Sequence, residues 1–107
     1  MTFDDKTSDL KSKIIEVLQT IFDPEIPVNI YEMGLIYDID ISEAPHVRIT
    51  MTLTSPNCPV AESLPIEVRE KISALEGVAS CYVDLVFEPE WTTERMSESA
   101  KLELGLL

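Results

Sequence analysis

Residues 46–54 alternate without a break: Val47, Ile49, Met51 and Leu53 fall on one side, Arg48, Thr50, Thr52 and Thr54 on the other. That period of two commits the stretch to a β-strand with one buried and one solvent-facing side. Such a strand needs sheet partners beside it and a layer over its apolar face. Leu35–Ser42 supplies the first partner: Ile36, Tyr37, Ile39 and Ile41 mark a strand, with Asp38 and Asp40 on the opposite face. Ser42-Glu43-Ala44-Pro45 is a turn, so the two strands form a hairpin. Val78–Phe87 gives a third strand, through Val78, Cys81, Val83, Leu85 and Phe87.

The covering layer comes from helical spacing. Leu10, Ile14, Val17, Leu18 and Ile21 predict an amphipathic helix from Asp9 to Phe22, with Ser8 as N-cap and Pro24 as its stop. Residues 1–8 read as a polar, flexible lead-in to a single domain over residues 9–107. Val60, Leu64, Val68, Ile72 and Leu75 predict a second helix, ended by Gly77. It begins at Pro59, or near Ser63, since Pro65 inside a longer helix would remove a hydrogen bond and bend it. Met96–Leu104 predicts a short third helix ended by Gly105. The order α-β-β-α-β-α describes a two-layer α/β (α+β) sandwich: a three-stranded mixed sheet with helices mainly on one face. If the third strand joins beside the second, the crossover makes that pair parallel.

Charge narrows the function. With 20 acidic against 8 basic residues in 107, the net charge is −12, and no cluster of Lys or Arg relieves it. Such a chain repels nucleic-acid phosphate and anionic membrane, so neither is an expected partner. No apolar run reaches the roughly 20 residues needed to span a bilayer, and the first residues carry no leader pattern, which points to the cytoplasm.

Chemistry is scarce. The two cysteines, Cys58 and Cys81, match no paired metal or redox spacing. Cys81 belongs to the apolar face of its strand and reads as core. Cys58 sits in Thr54-Ser55-Pro56-Asn57-Cys58-Pro59, between strand and helix. If the helix starts at Pro59, Cys58 is its N-cap and the helix dipole favours the thiolate; if it starts near Ser63, that argument weakens. Thr54 precedes the cysteine loop, and its hydroxyl is placed to bond the loop backbone or the sulfur. Asp23, Glu25 and Glu32 form the acidic set of a long connector, Asp23–Gly34, and long connectors in small domains tend to be functional. The one histidine, His46, reads as surface, and Trp91 as a cover on the edge of the core.

Three segments together carry a resemblance: Asp23-Pro24-Glu25-Ile26-Pro27-Val28-Asn29-Ile30-Tyr31-Glu32-Met33-Gly34-Leu35-Ile36, then Met51 through Pro59, then Trp91 through Gly105. In that order they resemble the SufT/PaaD-like iron–sulfur cluster assembly family, the tail being similar to the SufT branch. The resemblance covers about residues 10 to 107. It implies a small cytoplasmic α/β domain that acts as an accessory or carrier factor in iron–sulfur protein maturation, not as an enzyme. It implies functional positions at Asp23, Glu25, Thr54 and Cys58. Met33 and Glu90 depart from the pattern, at leucine and proline positions respectively. The implied partners are the assembly machinery and client apoproteins; the implied cofactor is iron or an iron–sulfur cluster, transiently bound. One cysteine cannot fill the roughly four ligand places of a cluster, so a homodimer pooling Cys58, or external thiols, would complete the set. A cofactor-free adaptor and a small thiol enzyme with Cys58 as nucleophile stand as alternatives.

Overall fold

The computed structural model describes residues 2–22, 26–54 and 63–106, with side chains from Asp9 onward. Its elements are α1 (Thr2–Leu18), β1 (Ile36–Asp40), β2 (His46–Met51), α2 (Ser63–Ser73), β3 (Ser80–Leu85), a 3₁₀ turn (Thr93–Arg95) and α3 (Glu98–Glu103). The sheet order is β1-β2-β3, antiparallel between β1 and β2 and parallel between β2 and β3. The mixed three-stranded sheet and the α-β-β-α-β-α order are those the hydrophobic periods predict.

The alternation in β2 becomes the floor of the core. Val47, Ile49 and Met51 are buried, while His46 and Arg48 face water. Ile14, Leu18 and Ile21 from the first helical segment and Leu64, Val68 and Ile72 from α2 close over that floor in one continuous cluster. On the open face Arg48 lies 2.9 Å from Asp84 and 5.6 Å above the Tyr82 ring.

In β1 the apolar residues Ile36, Ile39 and Ile41 are spaced three and then two apart, which no regular strand can put on one face. A bulge resolves this. Ile36 pairs with Met51 and Asp38 with Thr50, so Tyr37 is the extra residue. Ile36, Ile39 and Ile41 then all pack against the core.

Several boundaries differ from the sequence reading. The first helix starts at Thr2, so residues 2–8, read as a flexible lead-in, are helical and Ser8 is interior, not an N-cap. No glycine or proline interrupts residues 2–18, and nothing there stops a helix. It ends at Leu18, not Phe22. The Thr20 hydroxyl donates to the Val17 carbonyl at 2.6 Å, and the Thr20 and Ile21 amides close onto Val17 and Leu18 three residues back. That turn sends Ile21 into the core and pairs Phe22 with Asn29. The strands are shorter than the alternation suggests. After Met51 the ladder gives way to two fastenings, Thr52 N–H to the Leu35 carbonyl and Val86 N–H to the Met51 carbonyl, both 2.8 Å. The third helix is Glu98–Glu103, with Ser97 as N-cap accepting from the Ala100 amide. Gly105, at φ +74°, closes it: Gly105 N–H bonds the Leu102 carbonyl and Leu106 N–H the Lys101 carbonyl. A start of helix 2 at Pro59 lies outside the described residues.

Candidate functional site

The end of the sheet at Met51 is where three separated segments meet. β2 ends there and leads into Leu53, Thr54 and the cysteine loop; β1 begins there at Ile36; β3 ends there at Leu85. In doubly wound sheets, groups at the carboxyl ends of parallel strands commonly line binding sites, and β2 and β3 are the parallel pair here.

The chain after β3 does not leave that end. Tyr37 donates its hydroxyl to the Pro89 carbonyl at 2.7 Å, and the Arg95 guanidinium lies 4.6 Å from the Tyr37 ring. The Trp91 indole N–H donates to the Met33 carbonyl at 2.8 Å. Met96 and Ala100 are buried in the main core. Phe87–Ala100 thus crosses the sheet end and is sewn to the connector before β1. Trp91 covers the core edge, as its placement in the sequence suggests.

The connector is built for that seam. Asn29 acts as a local cap: its side-chain oxygen accepts from Glu32 N–H at 2.9 Å, and its carbonyl accepts from Met33 N–H at 3.0 Å. The single turn closes at Gly34, φ +79°, and a Cβ there would run into the Arg95 backbone carbonyl. Ile30, Met33 and Leu35 anchor the segment in the core. The pattern Asn29-x-x-Glu32-x-Gly34 is a readable cap-and-stop signal, but the partner that makes Gly34 necessary, Arg95, lies far along the chain.

Glu32 takes a definite place in this arrangement. Its carboxylate accepts the Ser97 hydroxyl at 2.5 Å, and its carbonyl accepts Ser97 N–H at 2.9 Å. The Ser97 oxygen meanwhile accepts the Ala100 amide at 3.1 Å. One serine caps α3 and fastens it to the connector, a role the sequence reading missed because capping is local and this contact is not. Ser97→Ala should cost about 1–2 kcal/mol, from a lost cap and a lost charge-assisted bond. Chemical denaturation followed by Trp91 fluorescence reads it.

Thr54 is half-buried on the wall of a cleft of about 240 Å³. Thr52 and Leu53 share that wall; Phe87, Glu88, Glu90 and Trp91 form the other. Thr52 is the one buried polar side chain among the described residues, and its hydroxyl reaches the Leu53 carbonyl only at 3.4 Å. The cleft thus joins buried Thr52 and half-buried Thr54 on one wall to exposed Glu88 and Glu90 on the other. Cys58, Asp23 and Glu25 lie outside the described residues. The structure brings Thr54 to the cleft and Glu32 to the seam behind it.

The other reactive groups are elsewhere. Cys81 is buried, and burial pushes its thiol up to about 11 from 9.0, with Arg69 opposing the shift. A thiol kept neutral in the fold favours the folded state fully below pH 9, and that contribution is lost as pH rises toward 11. Cys81 should resist alkylation near pH 7 in native protein and react once denaturant is added; mass mapping after iodoacetamide treatment checks this. His46 is exposed at the far end of β2, with Nδ1 2.8 Å from the Ser80 hydroxyl. Five strand steps of about 3.3 Å separate it from Met51. Among the described residues no group of three or more His, Cys, Asp or Glu is arranged to hold a metal ion.

Comparison with known proteins agrees with this architecture. The family described as iron-sulfur cluster assembly protein matches residues 11–85. A Porphyromonas gingivalis protein named Fe-S protein maturation auxiliary factor is 51% identical over 94 residues, covering 88% of this chain and 90% of its own length. The Staphylococcus aureus Fe-S protein maturation auxiliary factor SufT is 30% identical over 86 residues, covering 80% of this chain and 98% of its own. The crystal structure of a domain of unknown function from Bacillus anthracis superposes with a TM-score of 0.85 at 36% identity, over 94% of this chain and 95% of that one. Matched by the family model over residues 11–85 and by these relatives over most of its length, the chain belongs to the iron-sulfur cluster assembly protein family.

Proposed function

We propose that this chain is an accessory or carrier factor in the maturation of iron–sulfur proteins, and that it works through Cys58. The supporting observation is convergence. The connector and the tail, far apart in sequence, are fastened to one another at the end of the sheet from which the cysteine loop departs. Thr54, the last described residue before that loop, lines a cleft whose opposite wall is the tail. In this reading iron or a cluster is cargo, held transiently with Cys58 thiolate as one ligand. A partner, small thiols or a second chain supplies the rest of the roughly four ligands a cluster needs. Asp23 and Glu25 support the cysteine as nearby carboxylates, Thr54 orients the loop by hydrogen bonding, and Glu32 contributes by holding connector and tail together.

The cargo-handling reading outranks a thiol enzyme because the chain's one imidazole sits at the far end of β2. It places the protein in the cytoplasm, where thiols stay reduced, among the assembly machinery and its client apoproteins. No helix among the described residues is long and apolar enough to cross a membrane. Thiol accessibility gives the first test: native protein at neutral pH should show one rapidly modified thiol, abolished by Cys58→Ser and kept by Cys81→Ser. A rapid thiol that survives Cys58→Ser would remove Cys58 from the role.

A further inference from the structure

A second concave surface involves the connector and α3. It is a groove of about 360 Å³ between the connector and α3, with Phe22, Pro27, Val28 and Ala100 as its apolar lining and Glu32 and Glu103 as its acids. Among the described residues, neither lysine nor arginine lines it. Phe22 in its lining is 47% exposed, and Leu102, on α3 between the lining residues Ser99 and Glu103, is 67% exposed. Ser99, Leu102 and Glu103 follow one another at i, i+3 and i+4, so they share one side of α3. The base on α3, Lys101, is two positions from both Ser99 and Glu103 and points around the helix from them. Among the described residues, the charged groups bordering this apolar surface are the carboxylates of Glu32 and Glu103.

We propose that this groove is the docking seat for a short basic and apolar segment of a partner protein: one or two large aliphatic or aromatic side chains flanked by Lys or Arg. The apolar side chains would fill the slot beside Phe22 and Leu102, and the cations would meet Glu32 and Glu103. Charge decides against a second copy here. Both chains carry a net charge of −12, and self-pairing would set Glu103 and its neighbours against like charge. The inference is drawn from the groove's own lining and stands without the cargo reading.

Fluorescence anisotropy with three labelled synthetic peptides tests it: one alternating lysine and leucine, one with serine for leucine, one with glutamate for lysine. The lysine–leucine peptide should bind, more weakly as salt rises, and the other two should not. Leu102→Ser and Glu103→Lys, both at exposed positions, should each raise Kd by about tenfold, the scale of losing one well-seated contact. Failure of the lysine–leucine peptide to bind, equal binding of the serine peptide, or indifference to Glu103→Lys would overturn the proposal. So would a homodimer in sedimentation that Leu102→Ser dissociates.

Discussion

Replacing Gly34 by alanine is expected to destabilise the protein by about 3 kcal/mol or more, the sum of two separate costs. The first is conformational: Gly34 sits at φ +79°, a backbone region that L side chains rarely adopt. The second is steric: the added Cβ meets the carbonyl and Cβ of Arg95, and backbone cannot swing aside as a flexible side-chain end can. Domains of this size are stable by only about 5–15 kcal/mol, so the loss is a large fraction. It should lower Tm by roughly 10–20 °C. Because the clash lies at the seam, Trp91 fluorescence should report loss of the tail at lower denaturant than far-UV circular dichroism reports loss of the sheet. Coincident transitions with wild-type midpoints would show that connector and tail are not in the contact described.

Cys58→Ser should have the opposite profile: little change in stability and near-complete loss of function. The exchange swaps a thiol for a hydroxyl of similar size, so little side-chain volume changes. Serine, with a far higher pKa, provides no thiolate for iron at neutral pH. Maturation of an iron–sulfur client, followed as its cluster-dependent activity in cells lacking the native protein, should be restored by wild type and by Cys81→Ser but not by Cys58→Ser. Gly34→Ala should fail in the same assay in proportion to its lost stability. Comparing the two variants separates a chemical defect from a folding one.

Most of the architecture is legible in the sequence because periodicity is local. The faultless alternation of Val47, Ile49 and Met51 and the helical spacing of Leu64, Val68 and Ile72 define faces, and faces define layers. Boundaries are less legible because they depend on partners. Phe22 leaves helix 1 because Asn29 is there to pair with it, and β1 is bulged because Met51 and Thr50 fix where Ile36 and Asp38 must sit. The site divides the same way. Cys58 stands out from composition and position alone, and Thr54 from the strand that leads to it. The seam does not. Ser97, Trp91 and Gly34 look like an ordinary cap, an edge aromatic and a turn glycine until Glu32, Met33 and Arg95 are seen against them.

Cys58 is the residue proposed to handle iron. Anaerobic reconstitution with ferrous iron and sulfide, followed by desalting, tests this most directly through the visible absorbance and the protein-bound iron and sulfide. Wild type and Cys81→Ser should retain iron and show the charge-transfer bands of thiolate–iron ligation, and Cys58→Ser should retain neither. Equal spectra and equal iron content in wild type and Cys58→Ser would contradict the account.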